Sequence, residues 1–372
     1  MSEHDAPTLL AFYLPQYHPI PENDEWWGPG FTEWTNVTKA QPQFTGHYQP
    51  HVPSDLGHYD LRNSEIRLRQ ATMAKDAGIN AFAYYHYWFN GRQLLEQPVE
   101  EMLRLQEPAF PFILVWANEN WTRHWDGGEH QILMEHHYSL DDDLEHIRSL
   151  RPALTDGRYL RRDGKPVVAI YRESKLPNPR VTIDLWRKEV ERWGLPGLYL
   201  LNIESCGDPV SDPRALGFDA AVEFQPSWAN LPMKPPRYLL RRSLRWLNPR
   251  YSHHILRYDD VAKRAMQTAD ASYPRWPGVT PGFDNTARRR RNATILTGSS
   301  PSTYQRWLEN ALSRSERIAT TYHDGSNGYV FINAWNEWGE GNHLEPDELH
   351  GREFLDATSR ALQVVASTND AS

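Results

Sequence analysis

The sequence predicts an α/β fold, a (β/α)8 TIM-type barrel with long loops at the C-terminal face. About eight short runs rich in β-branched and aromatic residues alternate with stretches long enough for helices. Such alternation implies a parallel sheet with right-handed crossovers. Polar side chains also follow most of the runs, and the carboxyl ends of barrel strands form one rim.

The predicted strands are short and apolar. They are 8–14, 79–85, 110–116, 166–171, 198–203, 219–224, 276–280 and 329–333, of which 276–280 has the least pronounced pattern. The predicted helices are 63–77, 94–105, 139–150, 181–193, 259–269, 301–318 and 352–364. Asn63 or Ser64 suits the cap of the first helix and Gly78 its end.

A single catalytic domain over residues 1–372 is predicted, because no Gly/Ser linker or fixed-period repeat divides the chain. Two stretches depart from the alternating pattern. The first is a long N-terminal loop, about 19–59, in which Trp26, Trp27, Glu33 and Trp34 suit either the wall of a cleft or a small aromatic core within the loop. Both interpretations stay open at this point.

The second departure is a basic insertion at about 231–264, in which residues 234–264 contain nine Lys or Arg and two acids. Its centre, 238–247, has the pattern of a short amphipathic helix with Arg241, Arg242 and Arg245. A solvated excursion, a lid over a cleft and a surface for anionic lipid are all compatible with this pattern. A second basic cluster, 288–291, can meet anionic groups on a polymer or pair with acids at the rim.

Composition excludes several function classes. The net charge of −8 argues against a general nucleic-acid binder, and no stretch is apolar enough to span a membrane. Cys206 is the single cysteine, so no internal disulfide forms. The polar N-terminus is unlike a signal peptide, and these features together predict a cytoplasmic protein.

The last predicted strand is followed by Ala-Trp-Asn-Glu-Trp-Gly-Glu-Gly at 334–341. Glu337 and Glu340 lie three residues apart on a glycine-containing turn, so both can face one cleft. Paired carboxylates among aromatic rings suit glycosidic bond cleavage, which needs a proton donor, a base or nucleophile, and flat surfaces for sugar rings. The alternative is a surface turn with two solvated acids; the interleaved tryptophans favour the catalytic interpretation.

Other polar and aromatic residues at or near the predicted rim are candidates for substrate binding. They are Tyr13, Gln16, Glu33, Trp34, Tyr85, His86, Asn118, Glu119, Trp121, Glu223, Asp284, Asn285 and Trp335.

No cofactor or required metal is predicted. The histidines lack a ligand spacing such as His-Glu-x-x-His, and no glycine-rich phosphate loop is present. Asp141, Asp142 and Asp143 contain the Asp-x-Asp spacing of some metal-dependent sugar transferases. They lie just after Ser139, in the first turn of the predicted helix, and acids there complement the helix dipole without a metal.

Several motifs together resemble the WbsX-like proteins of bacterial polysaccharide clusters. The segments are 11–18, 26–28, 31–34, 84–88, 116–121 and 335–341, and the resemblance extends over about residues 8–365. These proteins are similar to the glycoside hydrolase family 99-like group, whose best-known members are endo-α-mannosidases. The resemblance implies a (β/α)8 barrel and retaining hydrolysis in which the substrate's own 2-hydroxyl attacks the anomeric carbon. It also matches the two catalytic glutamates of that group to Glu337 and Glu340.

We therefore expect a glycoside hydrolase acting on α-linked mannose or rhamnose in a bacterial polysaccharide or oligosaccharide. Glu337 would deprotonate the 2-hydroxyl, and Glu340 would protonate the leaving oxygen and then activate water. The alternatives are a glycosyltransferase or transglycosylase of polysaccharide (O-antigen) biosynthesis that uses the same carboxylates, and a glycan-binding barrel without activity. The expected partner is a carbohydrate.

Overall fold

The structure is a computed structural model that describes residues 6–123, 128–205, 211–227, 231, 249–322 and 327–370. Its centre is a sheet of parallel strands with side chains buried on both faces. The barrel strands are β1 (Thr8–Tyr13), β2 (Ala81–Phe89), β3 (Phe112–Trp116), β4 (Lys165–Ile170), β5 (Tyr199–Glu204), β6 (Ala220–Glu223), β7 (Arg275–Trp276 with Gly278–Val279) and β8 (Tyr329–Ile332).

The sheet closes almost completely on itself. Strands β1 to β6 pair in chain order, and β8 pairs with β1. Strand β7 completes the circle in two halves, Arg275–Trp276 on β6 and Gly278–Val279 on β8. Pro277 lies between the halves and has no N–H to donate, which explains the break in the ladder. The predicted barrel is confirmed.

Helices follow most of the strands. They are Ser64–Asp76, Gln97–Leu105, Leu140–Ser149, Arg151–Leu154, Pro179–Arg192, Tyr258–Met266, Pro301–Tyr322 and Glu353–Asp370. Between β5 and β6 the structure describes one short 3-10 helix, Pro213–Leu216, and four other 3-10 helices are Glu173–Lys175, Pro249–Ser252, Asn285–Ala287 and Trp338–Glu340.

Local capping explains two helix starts. The side chain of Asn63 accepts a hydrogen bond from the N–H of Glu65, and that of Ser139 accepts one from the N–H of Asp142. The acidic run after Ser139 therefore forms the first turn of a helix, as predicted.

Several elements differ from the predictions. The long N-terminal loop contains two helices, Pro21–Trp27 and Glu33–Lys39. Short strands were missed because they pair locally or lie outside the barrel: Arg92–Leu94, Trp121–Arg123 with Gly128–Met134, Arg161–Arg162, His254–Arg257 with Thr294–Thr297, and Asn336–Glu337 with Asn342–His343. The predicted helix 238–247 in the basic insertion lies outside the described residues.

Candidate active site

The Trp-Asn-Glu-Trp-Gly-Glu-Gly segment forms a small hairpin beyond β8. Asn336–Glu337 pairs antiparallel with Asn342–His343, and the 3-10 turn Trp338–Glu340 joins the two. The side chain of Asn336 accepts from the N–H of Leu14 at 2.7 Å and donates to its carbonyl at 3.0 Å. The hairpin is thereby fixed to the end of β1, which places both glutamates at the carboxyl end of the barrel.

The tip of the hairpin packs on the helix Glu33–Lys39. A Cβ atom at Gly339 would overlap with the carboxylate of Glu33 and approach the guanidinium of Arg288, so only glycine fits this approach. Tyr17 secures the other side, since its hydroxyl donates to the carbonyl of Asn336 at 2.5 Å and accepts from the N–H of Trp338 at 3.2 Å.

One arginine joins three carboxylates at this site. Arg288 Nη2 lies 2.5 Å from Glu337 Oε1, Nη1 lies 3.0 Å from Glu340 Oε1, and Nε lies 2.8 Å from Glu33 Oε1. Glu33 and Glu337 are buried, whereas the side chain of Glu340 is 27% exposed. A guanidinium presents its donors in a rigid fork, so Arg288 fixes the two predicted catalytic groups relative to each other.

The pKa of Glu337 is raised to about 8, mainly because burial disfavours the charged carboxylate. Arg288 opposes this by stabilising the charge, while Glu340 and Glu33 add to the increase. Glu337 thus titrates near neutral pH, where a carboxyl group can act as acid or base.

The glutamates face a cleft of about 270 Å³ whose wall combines aromatic rings with polar and charged side chains. Flat rings beside converging polar groups are typical of carbohydrate sites, because sugar rings pack on aromatic faces. The aromatic side chains lining it are Trp27, Tyr85, Tyr87, Trp121, Tyr171 and Phe224, and the polar or charged ones are Gln16, Asn23, Glu119, Asn120, Thr122, Arg288, Asn333, Glu337 and Glu340.

Six of the catalytic and substrate-binding candidates line this cleft: Gln16, Tyr85, Glu119, Trp121, Glu337 and Glu340. Glu33 does not line it, but its carboxylate reaches the same arginine from the buried side. Both interpretations of the N-terminal loop are partly right. Trp27 lines the cleft, whereas Trp34 packs in an aromatic core with Tyr17, Tyr59 and Trp338 and is not at the cleft.

Three other expected lining residues face the outer layer of the barrel. The hydroxyl of Tyr13 donates a hydrogen bond to Gln70 on the helix Ser64–Asp76. His86 forms a hydrogen bond with His146 on the helix Leu140–Ser149. Trp335 is fully buried against Phe82. The pleat of a strand explains the error at His86, because Tyr85 and His86 are consecutive and their side chains point to opposite faces of the sheet.

The remaining four expected residues are used in structural contacts. Glu223 is buried between Arg275 and Arg314, with nitrogen–oxygen distances of 2.7 and 2.8 Å. Asn118 bonds through its side chain to the backbone of Arg172, and Asn285 accepts from the N–H of Thr294. Asp284 turns away from the cleft, where its Oδ2 accepts from His47 and Gln49 at 2.5 and 2.9 Å. Their predicted place in the cleft is wrong.

Sequence reasoning missed or left open several groups of the site. Arg288 was seen only within a basic cluster, and pairing with acids at the rim was one of two alternatives. Tyr87 lies near the carboxyl end of β2 and Tyr171 directly follows β4, and such a position at a barrel strand is a signal that would have found both. Glu345 is buried under the hairpin and accepts from Trp338 Nε1 at 2.6 Å and from Gln70 Nε2 at 2.6 Å. No sequence signal distinguishes it from a surface acid.

Among the described residues, three or more His or acidic groups converge closely enough for a metal at one place, formed by His51, His343 and Asp347. None of these three residues lines the aromatic cleft, although His343 belongs to the second strand of the hairpin that contains Glu337. Within the described parts of the chain, no helix combines the length and apolar character needed to cross a bilayer.

The sequence model of the family described as Glycosyltransferase WbsX matches residues 9–358. The chain belongs to the WbsX family. It is also 43% and 42% identical over 355 residues to two proteins named "Uncharacterized protein WxcX", from two strains of Xanthomonas campestris pv. campestris. Each match takes in 95% of this chain and 49% of the relative, so the chain spans about half the length of the curated relatives it matches.

Two kinds of solved structure share the fold of this WbsX family chain. A glycoside hydrolase-like protein superimposes with a TM-score of 0.59 at 14% identity, over 97% of this chain and 95% of the other. The GH99 endo-alpha-mannosidase from Bacteroides thetaiotaomicron superimposes with a TM-score of 0.54 at 14% identity, over 98% of each chain. At such low identity the similarity establishes the barrel fold, and the resemblance inferred from the motifs is confirmed at that level.

Proposed function

We propose that the chain is a retaining glycoside hydrolase that cleaves α-linked manno-configured sugars, mannose or rhamnose, in a bacterial polysaccharide or oligosaccharide. One observation carries the proposal. Glu337 and Glu340 belong to one hairpin, share one guanidinium, and face a cleft whose wall includes six aromatic side chains. A carboxylate pair of this kind supplies the acid and base groups that glycosidic cleavage requires.

Glu337 is the base in this proposal. It removes the proton of the substrate's 2-hydroxyl, whose oxygen then attacks the anomeric carbon and displaces the leaving sugar. Burial favours this role because a carboxylate with a pKa of about 8 is a stronger proton acceptor than an exposed one. Arg288 supports it as a positioning residue, since its ion pair opposes permanent protonation of the carboxyl group.

Glu340 is the proton donor to the leaving oxygen. Its partial exposure suits a group that meets the leaving sugar and, in the second step, the incoming water. Water then opens the 1,2-anhydro sugar while Glu340 takes its proton, and Glu337 returns a proton to O2. Two inversions at the anomeric carbon give net retention.

The reaction path restricts the sugar. Attack by the 2-hydroxyl needs this group trans to the leaving group, which fits α-mannose and α-L-rhamnose because their 2-hydroxyl groups are axial.

A transferase that passes the glycosyl group to another sugar is the second candidate, since the same two carboxylates would serve and the family carries that name. The negative charge of the cleft argues against a nucleoside diphosphate sugar as the donor, because its diphosphate is also negative. Glu119, Glu337 and Glu340 line it, and Arg288 is engaged by carboxylates. If the chain is a transferase, these charges therefore favour a glycan as the donor of the glycosyl group.

The experiment is incubation with a panel of mannans, rhamnans and derived oligosaccharides, read as new reducing ends. We expect wild-type protein to release ends from at least one manno-configured polymer, and Glu340→Gln to release about 10²–10⁴-fold fewer. Affinity without any release would instead identify a glycan-binding protein. Longer products without a net gain of reducing ends would identify transfer.

A further inference from the structure

A second cavity, of about 250 Å³, lies on the other side of the catalytic hairpin. Glu340 borders the first cavity and Gly341, the next residue, borders the second. The second cavity takes no part in the mechanism above.

Three potential metal ligands converge at its wall. His51 Nδ1 lies 2.8 Å from His343 Nε2, and His343 Nε2 lies 4.0 Å from Asp347 Oδ2. Their donor atoms all lie within 4.8 Å of one another. His343 and Asp347 are buried and His51 is half-buried, so these are not solvated surface groups.

The surrounding structure orients these ligands. His343 Nδ1 lies 2.9 Å from the carbonyl oxygen of Glu345, and donation there leaves Nε2 as the unprotonated nitrogen, which faces His51. Metal-binding histidines usually have such a partner on the second ring nitrogen. Asp347 Oδ1 accepts from the N–H of His350, which leaves Oδ2 turned toward the histidines.

Backbone pairing holds the two segments together. Ser54 donates to the carbonyl of Pro346, Glu348 donates to that of Val52, and Pro53 forms a bridge with Asp347. The ligands are therefore brought together by the fold although His51 and His343 are 292 residues apart. His343 and Asp347 lie in an i,i+4 relation, but the third ligand is remote in sequence, so no local spacing indicates this set and the expectation of no required metal did not include it.

We propose that His51 Nδ1, His343 Nε2 and Asp347 Oδ2 bind a divalent transition metal, with Zn²⁺ the best fit. Two imidazoles and one carboxylate suit Zn²⁺ better than Mg²⁺ or Ca²⁺, which prefer oxygen ligands. The cavity in front of the ligands leaves room for water as the fourth ligand.

Binding needs only small movements. Two nitrogen ligands of a tetrahedral Zn²⁺ lie roughly 3.3 Å apart, because each Zn–N bond is about 2.0–2.1 Å long. The imidazole rings must separate slightly from their 2.8 Å contact, and Asp347 must approach. His51 must also carry its proton on Nε2 when Nδ1 binds the metal.

The site connects to the catalytic hairpin through one ring contact. His343 stacks on Trp338 with ring centroids 3.7 Å apart and planes inclined by 13°. Trp338 lies between Glu337 and Glu340 in sequence, so a metal on His343 fastens the hairpin to the segment that contains His51. The metal stabilises the hairpin and performs no step of the reaction.

The test is zinc binding by calorimetry and elemental analysis after removal of metals with a chelator, with the melting temperature as a second readout. We expect one zinc per wild-type chain and a melting temperature that rises with zinc concentration. His51→Gln and Asp347→Asn should each weaken binding at least about tenfold. His58→Gln, a change at an exposed histidine of the same loop, should bind like wild type.

Absence of zinc uptake by wild-type protein would overturn the proposal, and so would uptake that neither variant weakens. X-ray absorption of the zinc-loaded wild-type protein gives a test that needs no variant. Two imidazole nitrogens and oxygen ligands support the site, whereas any set without two imidazoles contradicts it. Because every readout is independent of glycan cleavage, failure here leaves the proposed hydrolase untouched.

Discussion

At the scale of single residues, Glu337 and Glu340 share a location but not an environment. Glu337 is buried and its pKa is raised to about 8 by burial, while Glu340 is partly exposed. Arg288 contacts both, so removal of either glutamate also changes the charge around the other.

The proposed roles of Glu337 as base and Glu340 as acid predict that variants of the two residues respond differently to the acidity of the leaving group. A leaving group that is already acidic needs no proton, so Glu340→Gln should lose little in the first step with an activated aryl glycoside. With a natural sugar leaving group the same variant should lose about 10²–10⁴-fold. Glu337→Gln should be impaired on both substrates, because 2-hydroxyl attack is needed in each. Equal losses for Glu340→Gln on both substrates would contradict this assignment.

The pH profile tests the role of Glu337 independently. A base must be ionised, so kcat/KM for an activated substrate should rise with pH and level off above about 8, the raised pKa of Glu337. Glu340→Gln should keep this rising limb, since the activated substrate needs no acid. If Glu337 were the acid, activity on natural substrates would fall through the same pH range instead.

At the scale of elements, the hairpin and the helix Glu33–Lys39 form one packed unit. The sequence identified the motif and its two glutamates, but not the contacts beneath them. Arg288 and Glu33 are distant in sequence from the hairpin, and no local pattern indicates that their charges meet there.

Gly339→Ala should damage this unit. The new methyl group overlaps with Glu33 and crowds Arg288, so the carboxylate cluster must move. We expect a loss of roughly 1–3 kcal/mol in the free energy of unfolding, typical of overpacking, and at least a tenfold loss in kcat/KM. Gly157→Ala is the matched control, because nothing lies within 4 Å of a Cβ there. Equal behaviour of the two variants would refute the packing interpretation.

Glu223 illustrates how a residue at a strand end can be structural. It lies between Arg275 of β7 and Arg314 of the helix Pro301–Tyr322. Glu223→Gln removes the buried carboxylate that Arg275 and Arg314 share, although Arg275 keeps its ion pair with Glu204 and Arg314 keeps its ion pair with Asp270. The change should cost roughly 1–3 kcal/mol in the free energy of unfolding. KM should stay unchanged in the folded protein. Glu191→Gln, an exposed change, should be close to neutral, within about 0.5 kcal/mol. A raised KM with intact stability would restore Glu223 to the substrate site.

At the scale of the whole molecule, alternation of strands and helices was sufficient to predict the barrel. Strand β7 is the instructive case, because Pro277 splits it into two pairs of residues and leaves little periodicity to detect. The division into one domain stays a prediction.

The candidate site was predictable only in part. The sequence locates the carboxyl end of each strand, but consecutive residues such as Tyr85 and His86 face opposite sides. A one-residue uncertainty in a strand end therefore decides whether a side chain lines the cleft or packs against a helix. Polar residues in loops, such as Asp284, depend on partners that no spacing indicates.

The most direct measurement of the proposed chemistry is a proton NMR time course on an α-linked manno- or rhamno-oligosaccharide that the reducing-end assay identifies as a substrate. Two inversions through O2 predict that the α-anomer of the product appears first and the β-anomer follows only by mutarotation. First appearance of the β-anomer would show single-step inversion by water and would contradict 2-hydroxyl participation by the Glu337–Glu340 pair.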